Sequence, residues 1–373
     1  MRQNVYEGRK STMNELCYPF PEPPDFGKTL EVMPGVHWLR MPLPMSLDHI
    51  NLYLVDAGDG WYIIDTGIKT DAVRQHWLDI FDNSLEGRPV LGILATHMHP
   101  DHIGQAGWLE QYWQAPLYMT MGEYYTGRVL CSGPGETMPR LAEQFYRRAG
   151  FDSDAIVSIR EGARGFCRVI EPMPGAYIRI QDQQVLKWGG RNLKVVVGRG
   201  HSPEHACLLD EANGLLFSGD QIIASITSNV SVMAIEPEAN PLQLWLESHL
   251  SMLSLPEDLL VFPAHGLPFK GVRTRLRQLI AHHEDHLEAL EDACLQPRRA
   301  MALLPVLFKR QLNGHETMLA LGECIAHLHL LLARNRLERL LIDGVYHYRT
   351  LDPLVAERVG RVQHSLDDDP ILV

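Results

Sequence analysis

The 373-residue chain reads as a mixed α/β (α+β) protein with a strand-rich front part and an α-rich tail. Three observations predict this. Apolar strand-like runs alternate with segments of helical spacing as far as about residue 270. Beyond that point the strand signal largely disappears and long helical patterns take over. At four of the strand ends, a histidine or aspartate follows a tight turn of small residues.

Residues 1–34 are polar and then proline-rich (Pro19-Phe20-Pro21-Glu22-Pro23-Pro24), which predicts an extended N-terminal arm. Strands are expected at 36–40 and 51–56, with the turn Ala57-Gly58-Asp59-Gly60 leading into a partner strand at 61–65. A helix over 71–81, a strand over 90–95, a helix over 103–113 and a strand over 116–120 follow. Between about 122 and 175 the pattern changes to Gly133-Pro134-Gly135 and amphipathic helices over 138–149 and 153–162, a helical insertion across one face. Strands resume at 177–180, 184–188, 193–197, 206–209 and 215–218, then a helix at 241–253 and a last strand at 259–262. Helices over 274–293, 299–312 and 317–334, with a β-like end at 340–349, resemble a small winged-helix module. The expected organisation is therefore an arm over 1–34, a principal domain over 35–270 and a C-terminal domain over 271–373.

Bulk properties narrow the function classes. A hydrophobic fraction of 45% is ordinary for a chain with a real core. A net charge of −12 argues against a nucleic-acid surface spread over the molecule. Six cysteines without a CxxC pair read as reduced thiols of a cytoplasmic protein. The polar start carries no signal-peptide pattern, and no uninterrupted apolar run approaches 18 residues, so no membrane attachment is expected. A small-molecule substrate is the expected partner, and a homo-oligomer stays open.

The most telling stretch is His97-Met98-His99-Pro100-Asp101-His102, placed directly after the apolar run 90–95 and Thr96. Four metal-capable side chains at a strand end converge from one edge of a sheet, whereas a helix would spread them around its axis. Imidazole and carboxylate ligands of this mix suit zinc, and also iron or manganese. His201, Asp220 and His265 each follow an apolar run and a small-residue turn in the same way. If the four junctions share one edge, His97, His99, Asp101, His102, His201, Asp220 and His265 meet there, enough for two ions with a bridging carboxylate.

Here the chain resembles the metallo-beta-lactamase fold superfamily, on Thr96-His97-Met98-His99-Pro100-Asp101-His102, Gly200-His201-Ser202, Ser218-Gly219-Asp220, Ala264-His265-Gly266 and the early Asp65-Thr66-Gly67. The resemblance covers roughly residues 35–270 and implies an αββα sandwich with the metals at one end. It implies that His97, His99 and His201 hold one ion, that Asp101, His102 and His265 hold the other, and that Asp220 bridges. Asp65 would orient ligands through hydrogen bonds, and His205 would sit behind them. Two divalent ions would make a bridging hydroxide near neutral pH and polarise a carbonyl, with Asp101 holding the nucleophile and returning a proton. Gly198-Arg199-Gly200-His201 departs from the common Thr-Pro-Gly-His lead-in.

Within the superfamily, the chain looks most like the beta-lactamase-like protein 2 type, a sandwich followed by a winged-helix-like domain. The matching tail is Ile325-Ala326-His327-Leu328-His329-Leu330-Leu331 followed by Asp343-Gly344-Val345-Tyr346-His347-Tyr348. That type implies a metallo-hydrolase of a small ester-type substrate, foremost a thioester. A metal-dependent endoribonuclease and a mononuclear iron, oxygen-dependent enzyme are the alternatives. Read from the residues alone, the histidines of that leucine-rich helix are core packing, and the insertion arginines (Arg140, Arg147, Arg148, Arg160, Arg164, Arg168) are a solvated face. Arg334, Arg336 and Arg339 likewise read as solvent-facing. Met119, Met121, Tyr124 and Tyr125 fit either a pocket wall or ordinary core.

Overall fold

In the computed structural model, residues 16–45, 47–132, 138–163, 165–312 and 314–351 are described. The Gly133-Pro134-Gly135 stretch and Arg164 fall outside that set. The first sheet begins with β1 (Thr29–Met33), β2 (Val36–Pro42), β3 (His49–Asp56) and β4 (Trp61–Ile64). After α1 (Asp71–Asn83) comes β5 (Val90–Leu94), and after α2 (Pro100–Ile103) and α3 (Ala106–Trp113) comes β6 (Leu117–Met119). Helices α4 (Met121–Ser132), α5 (Arg140–Ala149) and α6 (Ser153–Ala163) intervene before β7 (Ile178–Arg179), and the strands lie in sequence order, β1 to β7. The second sheet consists of β8 (Val185–Trp188), β9 (Arg191–Gly198), β10 (His205–Asp210), β11 (Leu215–Gly219) and, after α7 (Pro241–Met252), β12 (Leu260–Pro263). Its order is β12-β11-β10-β9-β8. The tail is α8 (Val272–Ala293), β13 (Arg298–Arg299), α9 (Ala300–Leu307), α10 (Gly314–Ala333), β14 (Leu337–Ile342) and β15 (Val345–Thr350), with its strands ordered β13-β15-β14.

The layers follow from which faces are apolar. Trp38, Tyr53, Val55, Ile64 and Leu94 of the first sheet pack against Leu193, Val195, Leu208, Phe217 and Phe262 of the second. The other face of the first sheet (Leu52, Leu54, Ile63, Ile93) is covered by Val73, Trp77 and Ile80 of α1 and Leu109 of α3. The other face of the second sheet (Cys207, Leu209, Leu216, Val261) is covered by Leu242 and Trp245 of α7, and that cluster continues through Leu276, Leu303 and Ile325 of the tail. The result is an αββα sandwich whose second helical layer is shared with the tail. Each such large apolar side chain, once fully buried, is worth about 1.5–3 kcal/mol.

Several elements differ from expectation, each for a physical reason. Strand β1 lies inside the expected arm and pairs antiparallel with β2 through Thr29↔Leu39 and Leu30↔Trp38. As an edge strand it buries Val32 alone, so its apolar pattern is weak. The helix expected over 103–113 breaks at Gly104, where a Cβ would stand 2.5 Å from the carbonyls of both Gly67 and Pro100. Its first piece starts earlier, at Pro100, a residue suited to the first helical turn. Helix α4, which propensity did not announce, carries Tyr124 and Tyr125 beside each other and Gly127 in its interior. The helix expected over 299–312 stops at Leu307, two residues after Pro305, with Phe308 extended. The 316–333 window of α10 is long and apolar enough for a membrane span by composition, yet 67% of it is buried in the fold, as in a core helix.

The insertion makes two different contacts. At its start, α4 reaches the His97–His102 loop, because Glu123 accepts the Met98 N–H at 3.0 Å. Further on, α5 packs against β15 of the tail, where Ala149 joins the tail core and the Arg148 guanidinium lies over the Tyr346 ring.

Candidate metal centre

Strand direction gathers the ligand-type residues. β9 is antiparallel to β10, β10 is antiparallel to β11, and β11 is parallel to β12. Strands β9, β11 and β12 therefore point the same way, and His201, Asp220 and His265 lie just beyond their C-terminal ends at one edge. In the facing sheet β4 and β5 are parallel, so Asp65 and His97 also follow C-terminal ends. β10 runs back from that edge and begins with His205. The turns need glycine at two points. Gly200 has φ 100° and a Cβ there would lie 2.4 Å from the Pro241 carbonyl; Gly219 has φ 50° and a Cβ would lie 2.5 Å from His205 Nε2.

The structure brings all seven candidate ligands together in two groups. His97, His99, His201 and Asp220 form one and Asp101, His102 and His265 the other, with the ligand atoms of each group within 4.8 Å of one another. In the first, His97 Nε2 lies 2.8 Å from His99 Nδ1 and 3.1 Å from His201 Nε2. In the second, Asp101 Oδ2 lies 3.4 Å from His265 Nε2 and 3.7 Å from His102 Nε2. Asp220 faces both groups. Its Oδ2 is 3.4 Å from His201 Nε2 and 3.6 Å from His102 Nε2, and its Oδ1 is 3.3 Å from His265 Nε2.

These residues fit divalent metal ions. His102 Nδ1 is held by Asp65 Oδ2 at 2.8 Å, which leaves Nε2 bare. That Nε2 and Asp220 Oδ1 are buried and have no hydrogen-bond partner. An uncompensated buried polar atom is costly, and a cation at the shared focus would satisfy both. Burial, reinforced by neighbouring His102 and His99, pushes His97 well below its ordinary pKa, and burial beside His201 takes His99 to about 3. Both imidazoles are thus neutral, the form that ligates. Burial opposes charge on Asp220, but the facing His265 and His102 override it and hold this carboxyl well below the usual range.

A second layer orients the ligands. Asp65, at φ 61°, accepts the Thr96 N–H at 2.7 Å as well as the His102 bond. The backbone carbonyls of Asn229 and His49 face His201 Nδ1 at 2.7 Å and His265 Nδ1 at 2.9 Å. Such bonds fix which ring nitrogen is free to ligate. His205 lies outside both ligand groups, and its Nε2 accepts the Asp220 N–H at 3.0 Å. Buried Asn51 clasps the end of β12, donating its N–H to the Ala264 carbonyl at 2.6 Å and its amide to Pro263 and Gly266. Glu123, which burial raises above the usual carboxyl range, also accepts the Glu204 N–H at 2.6 Å and so straps the His97–His102 loop to the His201–His205 loop. Sequence reasoning passed over Glu123, Asn51, His49 and Asn229 as site residues. Their partners are far along the chain, and spacing carries no sign of them.

The other charged stretches do not converge on the centre. Arg334, Arg336 and Arg339 pair with Glu284, Glu291 and Glu238. Arg147 pairs with Glu143. Met119 and Tyr124 are core, and Tyr124 stacks on Tyr177 and donates to the Pro174 carbonyl, whereas Met121 and Tyr125 are exposed.

Comparison with known proteins agrees with this geometry. Residues 45–265 match the family described as the metallo-beta-lactamase superfamily, and residues 287–351 match its metallo-beta-lactamase-like C-terminal domain. The crystal structure of a beta-lactamase domain protein from Burkholderia ambifaria is similar at 43% identity and a TM-score of 0.84, covering 91% of this chain and 99% of that one. A metallo-beta-lactamase family protein from Thermus thermophilus is similar at 28% identity and a TM-score of 0.72, covering 86% of this chain and all of that one (100%). The atrochrysone carboxyl ACP thioesterase AacuM of Aspergillus aculeatus is 23% identical over 286 residues, 76% of this chain and 69% of that protein. The chain spans 63% of the length of two fungal lactamase-like relatives it matches.

Proposed function

The chain belongs to the metallo-beta-lactamase superfamily of hydrolases, and from that premise we propose that it is a dinuclear-metal hydrolase of a small ester-type substrate, foremost a thioester. The observation that carries the dinuclear reading is Asp220, whose carboxylate lies between the two groups, with Oδ2 beside His201 and His102 and Oδ1 beside His265. His97, His99 and His201 would hold one ion, Asp101, His102 and His265 the other, with Asp220 between them. Zinc is the first expectation from this donor set, with iron or manganese close behind. When bound, such ions supply a nucleophilic water near neutral pH and polarise a carbonyl oxygen.

The chain's own residues do the rest. Asp65, Thr96 and the Asn229 and His49 carbonyls hold the imidazoles in one tautomer and orientation, so no reorganisation is needed as charge develops. The Asp101 carboxylate is held below its ordinary range: burial opposes its charge, and His102 and His265 outweigh that. It is therefore charged at neutral pH and would take the proton of the attacking water. Water oxygen bonds to the carbonyl carbon, the carbon–sulfur bond breaks, and the thiolate leaves with the proton that Asp101 returns. The thioester preference is supported by the thioesterase relatives among the fungal proteins, AacuM and the nsrC protein of Aspergillus novofumigatus. Against an RNA substrate stands the engagement of Arg334, Arg336 and Arg339 in ion pairs.

The test is a substrate panel of acyl thioesters, aryl esters, lactones and short RNAs, run on zinc-loaded protein beside Asp220→Ala. Thioester turnover that disappears in a folded Asp220→Ala protein is the expected result. RNA cleavage without thioester turnover, or oxygen consumption with one iron per chain, would overturn it.

A further inference from the structure

A side chain of the tail reaches the metal centre through Asn229. The Asn229 carbonyl holds His201 Nδ1 at 2.7 Å, and the Asn229 amide Nδ2 donates to Glu323 Oε2 of α10 at 2.9 Å. The other end of the amide is fixed as well, because Asn229 Oδ1 accepts from Ser231 Oγ at 2.5 Å. The same loop is tied to α10 by its backbone, through Val232 N–H to the Gly322 carbonyl at 3.1 Å. Gly322 allows this approach: a Cβ there would lie 2.9 Å from Ser231 Cβ and 3.1 Å from the Val232 carbonyl. Glu323 is buried, and burial pushes its carboxyl up to about 7. Among the described residues, Asn229 is its one side-chain hydrogen-bond partner. A buried carboxyl with so little compensation is expensive for the fold, and its single observed contact leads to a metal-ligand histidine.

We propose that Glu323 is a positioning residue for the metal centre: through Asn229 it fixes the tautomer and aim of His201, so that α10 of the tail sets the affinity of the ion held by His97, His99 and His201. Deprotonated or protonated, the Glu323 carboxyl has an oxygen to accept the Asn229 amide, so glutamine replaces it in function and alanine does not. Loss of a partner behind a ligating histidine typically weakens metal binding about 10- to 100-fold. The effect falls on one ion of two, because His265 and His102 of the other group are oriented by His49 and Asp65 instead.

The inference rests on the dinuclear reading and is tested by metal binding without turnover. The full chain is stripped with a chelator and titrated with cobalt(II), reading bound equivalents and the visible ligand-field spectrum. Wild type takes up two equivalents. Glu323→Ala binds one of them about 10- to 100-fold more weakly with an altered spectrum, Glu323→Gln restores affinity and spectrum, and Gly322→Ala reproduces the defect with the carboxyl intact. Two equivalents held alike by wild type and Glu323→Ala would overturn the inference while leaving the dinuclear reading standing. So would a folded Glu323→Gln protein as defective as Glu323→Ala. Fewer than two equivalents in wild type would overturn both.

Discussion

Asp65 concentrates three demands on one residue: a left-handed backbone at φ 61°, an acceptor for the Thr96 N–H and an acceptor for His102 Nδ1. Asparagine meets the first, since among uncharged residues with a side chain it tolerates that conformation best. It does not meet the other two together, because its amide offers one acceptor oxygen and puts an NH2 donor group in place of the other. Asp65→Asn is therefore expected to keep the fold and to weaken zinc binding at the His102 group by about 10- to 100-fold, measured by competition with a chromogenic chelator. Asp65 was legible through the family resemblance, in which Asp65-Thr66-Gly67 matches an early strand signature. Glu123 and Asn229 do equivalent work and left no such pattern, since a hydrogen bond to a loop brought close only by folding has no spacing to detect.

At the scale of elements, the junction of α8 and α10 is built on neutral histidines. His283 Nδ1 and His327 Nε2 are 3.0 Å apart, and His327 Nδ1 donates to the Glu323 carbonyl one turn back. Burial, then the neighbouring His327, takes His283 down to about 2, and burial takes His327 down to about 4. Both pKa values lie below the unfolded value near 6.5, so below that pH the unfolded chain binds more protons and stability falls. The loss runs from about pH 6.5 down to about 4 for His327, where the folded protein starts to take up the proton too. Each such histidine contributes a slope of about 1.4 kcal/mol per pH unit across its window. Unfolding free energies measured by urea between pH 6.5 and 4.5 should therefore fall less steeply, by about that slope, for His283→Leu than for wild type. An unchanged slope would mean that His283 is accessible to protons in the folded chain. The leucine-rich helix with two histidines is core, as its residues suggest, and the same helix carries Glu323 one turn before His327.

For the whole molecule, the decisive fact is that α7 of the sandwich and α8, α9 and α10 of the tail share one hydrophobic cluster, from Leu242 and Trp245 through Leu276, Leu303 and Ile325. Removing the tail near residue 270 would expose Trp245, Leu242 and their neighbours, a patch too large for a well-behaved monomer. Such a truncated chain is expected to bind a hydrophobic dye and to lose cooperative unfolding. The full chain should melt in a single calorimetric transition whose van't Hoff and calorimetric enthalpies agree. Two separate transitions would show that tail and sandwich fold independently. The insertion belongs to the same scale, since α4 touches the ligand loop and α5 touches the tail.

Local sequence nominates the candidate ligands of the edge. His97 to His102 are neighbours in the chain, and His201, Asp220 and His265 each follow an apolar run and a glycine or alanine turn, so local pattern is enough to nominate them. It also determined the layered class, because alternation of apolar residues is a property of each strand alone. That β9, β11 and β12 run the same way and deliver their ends to one place emerges with the packed sheet. The fold also places the Asp220 carboxylate between the two histidine groups, and links Glu323, far along the chain, to His201 through Asn229. Strand direction, register and contacts between distant segments depend on packing the whole chain at once, and no window of sequence contains them.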